Sequence, residues 1–176
     1  MSLHLVNLHL VDINTDLVAA WQDAFRPFPE VSVQQADLLK VATNCVVSPA
    51  NSYGFMDGGV DAAYCGFFGQ SIEQTVREAI SRRSEGHLPV GASLVIRTDH
   101  RRIPYLIVAP TMTMPEAVPS GNCYRAMKAV LRIAGSEPDV GREVYCPGMG
   151  TGVGMITPAN AASMMAQAYA EWKNAR

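Results

Sequence analysis

The chain has 176 residues, 48% hydrophobic and 17% charged, which is enough apolar material for one well-packed core. A formal net charge of −2 argues against nucleic acid as a partner. No run approaches the roughly 18 uninterrupted apolar residues of a membrane-spanning helix, and the first residues lack the apolar run of a signal peptide. We therefore expect a cytoplasmic protein without a membrane partner.

The four cysteines, Cys45, Cys65, Cys123 and Cys146, are far apart in the sequence and show no paired spacing of the kind that holds a metal. Their neighbours are mostly apolar, so we expect buried, reduced thiols. This pattern suits the cytoplasm, and it gives no reason to expect a bound metal.

The first third of the chain predicts three strands and one helix. Residues 4–12 alternate polar and apolar side chains, which predicts a strand. Apolar residues at helical spacing then predict a helix from Asp16, with Asn14 or Thr15 as its N-cap. A second strand is expected over residues 31–39. The short, apolar stretch 44–50 predicts a third strand that is buried on both faces.

The middle of the chain predicts two helices followed by two strands. A short helix is expected from Val60, and a longer one from Ser71, where Ser71 and Gln74 have the spacing of a capping box. Residues 92–98 and 104–110 each form an apolar, β-branched run, and a basic turn separates them. They predict a pair of strands.

The last third predicts a helix, a strand and a closing helix. Residues 121–134 have helical periodicity, and Gly135 is expected to end that helix. Residues 142–147 predict the last strand. The closing helix is expected to begin after Thr157 as N-cap and to reach about Lys173.

Strands and helices alternate along the whole chain, without an internal repeat or a linker. This order predicts a three-layer α/β/α sandwich with a mixed central sheet, and residues 1–176 are expected to form a single domain. In open sheets of this class, ligands bind beyond the carboxyl ends of the strands. Three segments at such positions contain the candidate functional residues.

The first segment, residues 48–69, follows the third strand. Gly58 and Gly59 would let main-chain amides approach a ligand, and the following helix start offers unpaired N–H groups to an anion. Asn51 supplies a donor and an acceptor at the strand end. Asp61 falls in the first helical turn, where it either balances the helix dipole or acts on a ligand.

The second segment is PGMGTGVG, residues 147–154, in which glycines occupy every second position. Successive N–H groups of such a loop can surround a phosphate, with the start of the closing helix adding its positive end. Neither the P-loop nor the dinucleotide-binding pattern is present. The alternative is a glycine-rich turn that serves tight packing.

The third segment is the end of the second strand, which contains Asp37. Aspartate at such a position is most often a turn former or a cap.

Taken together, the three segments resemble the macro domain, the ADP-ribose-binding module of the Appr-1″-p processing family. The matching pieces are ADL with Asp37, SPAN with Asn51, GGVD with Asp61, and GTGVGM with Thr151 and Gly152. Asp37 and Asn51 are 14 positions apart, and Asn51 and Asp61 are 10 apart, as expected for this family. The resemblance extends over about residues 31–174 and implies the macro domain fold.

The resemblance also implies roles for particular residues. Asp37 would accept a hydrogen bond from the adenine amine, and two glycine-rich segments would hold the pyrophosphate from either side. Asn51 and Asp61 would be the catalytic pair, binding the distal ribose and orienting a water. The implied ligand-binding residues are Asp37, Leu38, Ala50, Gly58, Gly59, Val60, Gly150, Thr151, Gly152, Val153 and Gly154.

The sequence departs from the family pattern in three places. Ser48 and Pro49 replace the first two residues of the family's N-A-A-N motif. Met56 and Asp57 replace two glycines of the family's usual run, and Asp57 adds a negative charge beside the expected phosphate site. Gly154 stands where the family often has an aromatic residue against the distal ribose, which is expected to leave that end of the cleft more open.

The resulting expectation is a protein that binds ADP-ribose, or an ADP-ribosylated protein, and hydrolyses a mono-ADP-ribosyl ester, a related linkage or an O-acyl-ADP-ribose, without a cofactor. Two alternatives stay open. One is a non-catalytic module for ADP-ribose or another nucleotide or phosphate ligand. The other is an α/β domain whose glycines are structural. The sequence indicates neither the physiological substrate nor the oligomeric state.

Overall fold

The computed structural model describes residues 4–176, which form six strands and seven helices. The strands are β1 (Leu8–Asp12), β2 (Ser32–Gln35), β3 (Cys45–Ser48), β4 (Leu94–Arg97), β5 (Tyr105–Val108) and β6 (Val144–Cys146). The helices are α1 (Thr15–Ala24), α2 (Leu38–Val41), α3 (Gly59–Phe68), α4 (Ser71–Ser81), α5 (Gly121–Ser136), α6 (Pro138–Gly141) and α7 (Pro158–Asn174).

The strands form one mixed sheet with the order β2-β1-β6-β3-β5-β4. All neighbouring pairs are parallel except β4 and β5, which run antiparallel at one edge. The last strand in the chain, β6, lies in the middle of the sheet between β1 and β3. The predicted α/β fold with a mixed central sheet is therefore confirmed.

Helices cover both faces of this sheet. Helices α1, α5 and α7 pack on one face, where Trp21 and Met127 are fully buried. Helices α2, α3 and α4 pack on the other face with Tyr64 and Val76. Residues of β3 alternate between the two cores, and all four are buried, which is why this strand has no polar position before its last residue.

The boundaries of several elements differ from the prediction. Strand β1 begins at Leu8 rather than residue 4. The predicted second strand, 31–39, ends at Gln35, because the Asp37 side chain accepts a hydrogen bond from the Leu39 amide and starts α2 instead. A local side-chain bond to the main chain thus replaces the end of the predicted strand.

Two predictions about helix ends were wrong. Ser71 is the first helical residue of α4 and not its cap, and the Gln74 side chain donates to Glu78 rather than closing a capping box. Gly135 does not end α5, which continues to Ser136 before the short α6, a helix the sequence did not predict. In contrast, Thr157 caps α7 as predicted, accepting from the Asn160 amide.

All four cysteines are free and buried, in agreement with the prediction of buried thiols. Within residues 4–176, no helix has both the length and the apolar composition needed to cross a bilayer.

Candidate functional site

A cleft of about 560 Å³ lies beyond the carboxyl ends of the parallel strands. It runs from the end of β2, past the loop that follows β6, to the loops that follow β3 and β5. All thirteen residues singled out from the sequence line it: Asp37, Leu38, Ala50, Asn51, Gly58, Gly59, Val60, Asp61, Gly150, Thr151, Gly152, Val153 and Gly154. Residues separated by more than 100 positions in the sequence therefore share one concave surface.

The loop after β6 presents a row of unpaired main-chain donors to the cleft. Within residues 4–176, the amide groups of residues 150–154 donate to no other protein group. The loop is closed instead by bonds from the Met155 amide to Gly152 O, at 3.0 Å, and from the Ile156 amide to Gly150 O, at 2.9 Å. Consecutive free N–H groups on a fixed loop are suited to binding an anion.

Three of the glycines in this loop are required by its shape. Gly150 has a φ of +74°, a conformation that favours glycine, and a Cβ there would lie 2.6 Å from Ile156 Cδ1. A Cβ at Gly154 would lie 2.6 Å from the carbonyl oxygen of Gly150. Gly152, in contrast, is exposed and has open space around it. A Cβ at Gly148, the first glycine of the loop, would lie 2.5 Å from Leu17 Cδ2. Close packing therefore explains Gly148, Gly150 and Gly154, whereas access to the cleft suits Gly152.

A second set of main-chain donors comes from the start of α3. Gly58 is the N-cap and makes no side-chain capping bond, so the first N–H groups of the helix are not satisfied by its cap. Gly59 has a φ of +58°, and a Cβ added at either glycine would meet no other atom within 4 Å, so both positions are open to the cleft. The positive end of α3 thus faces the same cleft as the loop after β6.

The side chains around the cleft carry negative charge alone. Among the described residues that line it, none is Lys, Arg or His, whereas Asp12, Asp37, Asp57 and Asp61 all contribute to its surface. An anionic ligand in this cleft would be held by main-chain N–H groups and a helix end rather than by cationic side chains.

Asp61 is a buried carboxylate whose pKa is raised. It lies in the first turn of α3, is 8% exposed, and accepts a hydrogen bond of 2.5 Å from Ser48 Oγ at the end of β3. Burial raises the pKa of Asp61 to about 7, with smaller contributions from the nearby charges of Asp57 and Glu73, while the bond from Ser48 opposes this rise. Its carboxyl group can therefore exchange a proton near neutral pH.

Asn51 holds its own loop together. Its Oδ1 accepts from the amides of Tyr53, at 3.1 Å, and Phe55, at 3.3 Å, and its Nδ2 donates to Phe55 O at 3.0 Å. One Nδ2 hydrogen is left over for a ligand. Asn51 thus shapes residues 51–55 at the end of the cleft farthest from Asp37.

Asp37 is exposed at the opposite end of the cleft. Its Oδ1 caps α2, and its other carboxylate oxygen has no hydrogen-bond partner within residues 4–176. The cap and the ligand contact considered for Asp37 are therefore compatible, because each uses a different oxygen.

Sequence reasoning missed three residues of this site. Asp12 accepts from the amides of Asn14 and Gly148, both at 3.0 Å, and so ties the end of β1 to the loop after β6. Ser48 was noted as a departure from a motif and not as a partner of Asp61. Phe55 lines the far end of the cleft. The partner of Asp12 is 136 positions away, so no local pattern could have indicated this contact.

The start of α7 was expected to contribute to the cleft, but it does not line it. The lining of the cleft ends at Gly154, and the α7 N-terminus is capped by Thr157 three residues farther on. The intervening Met155 and Ile156 carry the chain away from the cleft, so the positive end of this helix is not part of the site.

Comparison with known proteins identifies the fold and its relatives. The sequence model of the Macro domain family matches residues 47–165. An uncharacterized protein of Aquifex aeolicus is 34% identical over 140 residues, which is 78% of this chain and 79% of that protein.

Solved structures show the same fold at low sequence identity. The macrodomain of Mycobacterium tuberculosis DarG superposes with a TM-score of 0.67 and 18% identity, covering 78% of this chain and 88% of that one. Thermosipho africanus DarTG in complex with ADP-ribose gives a TM-score of 0.65 and 11% identity, covering 77% of this chain and 37% of that one.

Proposed function

Because the chain belongs to the Macro domain family, we propose that its cleft binds ADP-ribose and hydrolyses a mono-ADP-ribosyl ester, a related linkage or an O-acyl-ADP-ribose. The observation that carries the proposal is the meeting of Asp37, two sets of free main-chain donors and the Asn51–Asp61 pair in one cleft. The complex of Thermosipho africanus DarTG with ADP-ribose, on the same fold, supports the choice of ligand.

The order of groups along the cleft follows the order of groups in ADP-ribose. The free oxygen of Asp37 would accept from the exocyclic amine of adenine at the β2 end. The amides of residues 150–154 and the start of α3 would hold the pyrophosphate in the middle, without a cationic side chain. The distal ribose would then lie beside Asn51 and Asp61.

Asp61 supplies the chemistry for hydrolysis. Since its pKa is raised to about 7 by burial, it can take a proton from a bound water at neutral pH while remaining a stronger base than an ordinary aspartate. The water oxygen attacks the linkage at the distal ribose, and the proton held by Asp61 is available to the leaving oxygen. The bond from Ser48 fixes the orientation of the carboxylate during this step.

The partner of the enzyme would be an ADP-ribosylated protein or a free acyl ester of ADP-ribose, and we place the activity in the cytoplasm. The four buried, free thiols are compatible with that compartment.

One observation favours the alternative, a non-catalytic binding module. The side-chain oxygen of Asn51 and one of its N–H groups are already bonded to residues 53 and 55. If the remaining N–H group does not hold the distal ribose firmly, a ligand would bind without being positioned for attack by water.

Calorimetry with ADP-ribose, ADP and AMP tests the binding half of the proposal. We expect ADP-ribose to bind most tightly, and Asp37→Ala to weaken it by about 1 to 3 kcal/mol, the cost of leaving the adenine amine unpaired. Asparagine caps helices as well as aspartate does, so Asp37→Asn preserves the cap of α2. This variant should nevertheless weaken the binding of ADP-ribose. Asp23→Ala, which removes an exposed charge from α1, is the control. Absence of ADP-ribose binding by the wild type would refute the proposal.

Release of ADP-ribose from a glutamate-linked, mono-ADP-ribosylated peptide tests the catalytic half. The wild type should release ADP-ribose, and Asp61→Ala should lower the rate by about 10²-fold or more, as expected for loss of a general base. Calorimetry on the same variant shows whether it still binds. If the wild type binds ADP-ribose but does not release it from the peptide, the protein is a non-catalytic binding module and the catalytic half of the proposal is refuted.

A further inference from the structure

A second groove, of about 440 Å³, lies beside helix α5 and outside the cleft. Arg125, Lys128 and Arg132 line it from α5, and residues 89–92, the segment before β4, form its other wall. Spacings of three and four positions place the three cationic side chains on one face of the helix, where like charges repel one another. The described lining contains no carboxylate, although the formal net charge of the chain is −2. The groove is therefore a concentration of positive charge on a protein that is acidic as a whole.

Two of the three cations are held in place without an acidic partner. The Nη2 atoms of Arg125 and Arg132 donate to the main-chain carbonyl oxygens of Val90 and Gly91, each at 2.8 Å. Within residues 4–176, neither guanidinium forms an ion pair or any other hydrogen bond to a protein group. Most of the five N–H donors of each arginine are thus available to an anion, on side chains that the carbonyl bonds already orient.

The groove begins beside the end of the cleft that contains Asn51, which we call the distal end. Ser52, directly after Asn51, accepts from the Leu88 amide at 2.9 Å, and Pro89 is the first residue of the groove. Under the proposed binding mode, the distal ribose and whatever is attached to it lie at this end. A chain attached to the ribose would therefore leave the cleft close to the groove.

Helix α5 makes a second connection between the cleft and the groove. Thr111 lines the cleft, and its carbonyl oxygen accepts from Asn122 Nδ2 at 2.9 Å, in the first turn of α5. Arg125 follows Asn122 by about one helical turn, so the first guanidinium of the groove is carried by the turn next to the cleft. The groove then continues along α5, away from the cleft, to Arg132.

The charges at the distal end itself belong to the other face of the sheet. Asp57 and Asp61 line the cleft at the start of α3, and the guanidinium of Arg77, in α4, lies 4.4 Å from the centre of the Phe55 ring. Helices α3 and α4 pack on one face of the sheet and α5 on the other. An acidic residue directly beside the modified one would meet Asp57, whereas acidic residues farther along the attached chain would reach the arginines of the groove.

The groove fits an acidic peptide better than a nucleic acid. Arg125 and Arg132 are seven positions apart, about 10 Å along the helix, which about three residues of extended peptide span. Sites for single-stranded nucleic acid add aromatic rings on which bases stack. The aromatic residue in the described lining is Tyr124, whose hydroxyl donates to Glu171 and whose ring centre lies 5.4 Å from Lys128 Nζ. Lys128 is itself paired with Glu171 at 3.0 Å, which leaves the two arginines as the free cations of the described lining.

We propose, building on the ADP-ribose binding proposed above, that the groove binds an acidic segment of an ADP-ribosylated protein, with the modified residue at the distal end of the cleft and the acidic side chains on Arg125 and Arg132. The substrate class is then a modified protein with acidic residues a few positions from the modification. A free acyl ester of ADP-ribose carries no such segment and would use the cleft alone.

Two peptides that carry ADP-ribose on the side-chain amide of a glutamine test the proposal by calorimetry, because this linkage resists ester hydrolysis and lets binding be measured alone. One has glutamates and the other has glutamines on both sides of the modified residue. We expect the glutamate peptide to bind about tenfold more tightly at low salt, and the difference to shrink at high salt because exposed charges are screened. Equal affinities, or weaker binding of the glutamate peptide, would overturn the proposal.

The choice of a peptide over a nucleic acid has its own test. An unmodified glutamate peptide and an oligothymidylate of equal charge are compared as competitors of the modified glutamate peptide. We expect the glutamate peptide to compete more strongly. Stronger competition by the oligothymidylate would overturn the choice of an acidic peptide as the occupant.

The double variant Arg125→Gln/Arg132→Gln tests the residues assigned to the groove. It removes both charges and keeps amide donors for the carbonyl oxygens of residues 90 and 91. The variant should bind the two modified peptides equally and bind free ADP-ribose as the wild type does. Arg82→Gln/Arg101→Gln, at exposed positions outside the cleft and the groove, is matched in charge and should keep the preference. A preference for the glutamate peptide that persists in the first variant would overturn the role of the two arginines.

These outcomes are separate from the failure of the proposed function. If free ADP-ribose does not bind to the wild type, the proposed function is wrong and the groove proposal falls with it. If free ADP-ribose binds and the two modified peptides bind alike, ADP-ribose recognition stands and the groove proposal alone is wrong.

Discussion

Asp61 affects the stability of the protein and is also the residue that we propose acts in hydrolysis. In the unfolded chain its pKa should be near the ordinary value of 3.8, whereas burial raises the native pKa to about 7. As pH rises from about 4 to 7, the unfolded state releases this proton while the native state keeps it, so the native state loses stability over that window. Above pH 7 the whole cost is present, about 4 kcal/mol for a shift of about three units as an upper bound.

Replacing Asp61 with asparagine removes the buried charge and keeps an oxygen that can accept from Ser48. We expect Asp61→Asn to raise the free energy of unfolding by about 2 kcal/mol or more at pH 8, and to change it little at pH 4. Urea unfolding at the two pH values measures the difference. Asp23→Asn, which neutralises an exposed carboxylate on α1, is the control, and an equal effect of Asp61→Asn at both pH values would contradict the raised pKa.

Ser48 is expected to act through Asp61. Because its hydroxyl donates to the carboxylate and lowers the pKa, Ser48→Ala should raise the pKa of Asp61 further. The rise of the hydrolysis rate with pH should then shift to higher pH in Ser48→Ala, as measured by a pH–rate profile. A profile with the wild-type midpoint and a lower plateau would indicate that Ser48 serves packing alone.

The residues of the site differed in how well the sequence revealed them. Asp37, Asn51 and Asp61 could be identified because family-like motifs surround them at fixed spacing. Ser48 and Asp12 could not, because each acts through a partner that folding brings close, 13 positions away for Ser48 and 136 for Asp12. A motif identifies residues by their neighbours in the sequence. Residues that act through a distant contact can be identified only once the fold is known.

At the level of elements, the loop after β6 offers a matched pair of glycines. Gly154→Ala should destabilise the protein by about 1 to 3 kcal/mol, since its Cβ would meet the carbonyl oxygen of Gly150 at 2.6 Å. Gly152→Ala has open space and should leave the melting temperature nearly unchanged. Thermal unfolding of both variants distinguishes them. Equal destabilisation would mean that flexibility rather than close approach requires these glycines.

Element types were predictable where periodicity was long, and element ends were not. The stripe Ile72, Val76 and Ile80 predicted α4, and all three side chains are buried. The end of β2 was misplaced because one Asp37 side-chain bond to Leu39 decides between strand and helix. Helix α6 was missed because four residues are too few to show a period.

At the level of the whole molecule, the alternation of strands and helices predicted the α/β fold class but not the order of the strands in the sheet. The placement of β6 between β1 and β3 depends on contacts between residues about 100 positions apart or more, such as Cys45 with Val144. That placement brings the glycine loop to the middle of the cleft. The extent predicted for the domain, residues 1–176, stays a prediction.

The buried thiols can report on the whole fold. Burial raises the pKa of Cys123 to about 12 and holds the pKa values of Cys45 and Cys146 well above their usual range. We therefore expect these three to react with a thiol reagent at pH 7.5 after unfolding and not in the native protein. ADP-ribose at a hundredfold excess over its Kd should add about 2.7 kcal/mol of stability and slow their labelling, measured by mass spectrometry. Labelling at an undiminished rate would speak against binding to the native state.

A binding surface made of main-chain N–H groups is not detected by the usual substitution of side chains. Truncating Val153 to alanine keeps every N–H donor of the loop after β6, whereas Val153→Pro deletes one, because proline has no amide hydrogen. A complete alanine scan would therefore miss the N–H groups that we propose hold the pyrophosphate, whereas a single proline substitution would reveal them. The chemistry of this part of the cleft is encoded in the path of the backbone, which many different sequences can follow.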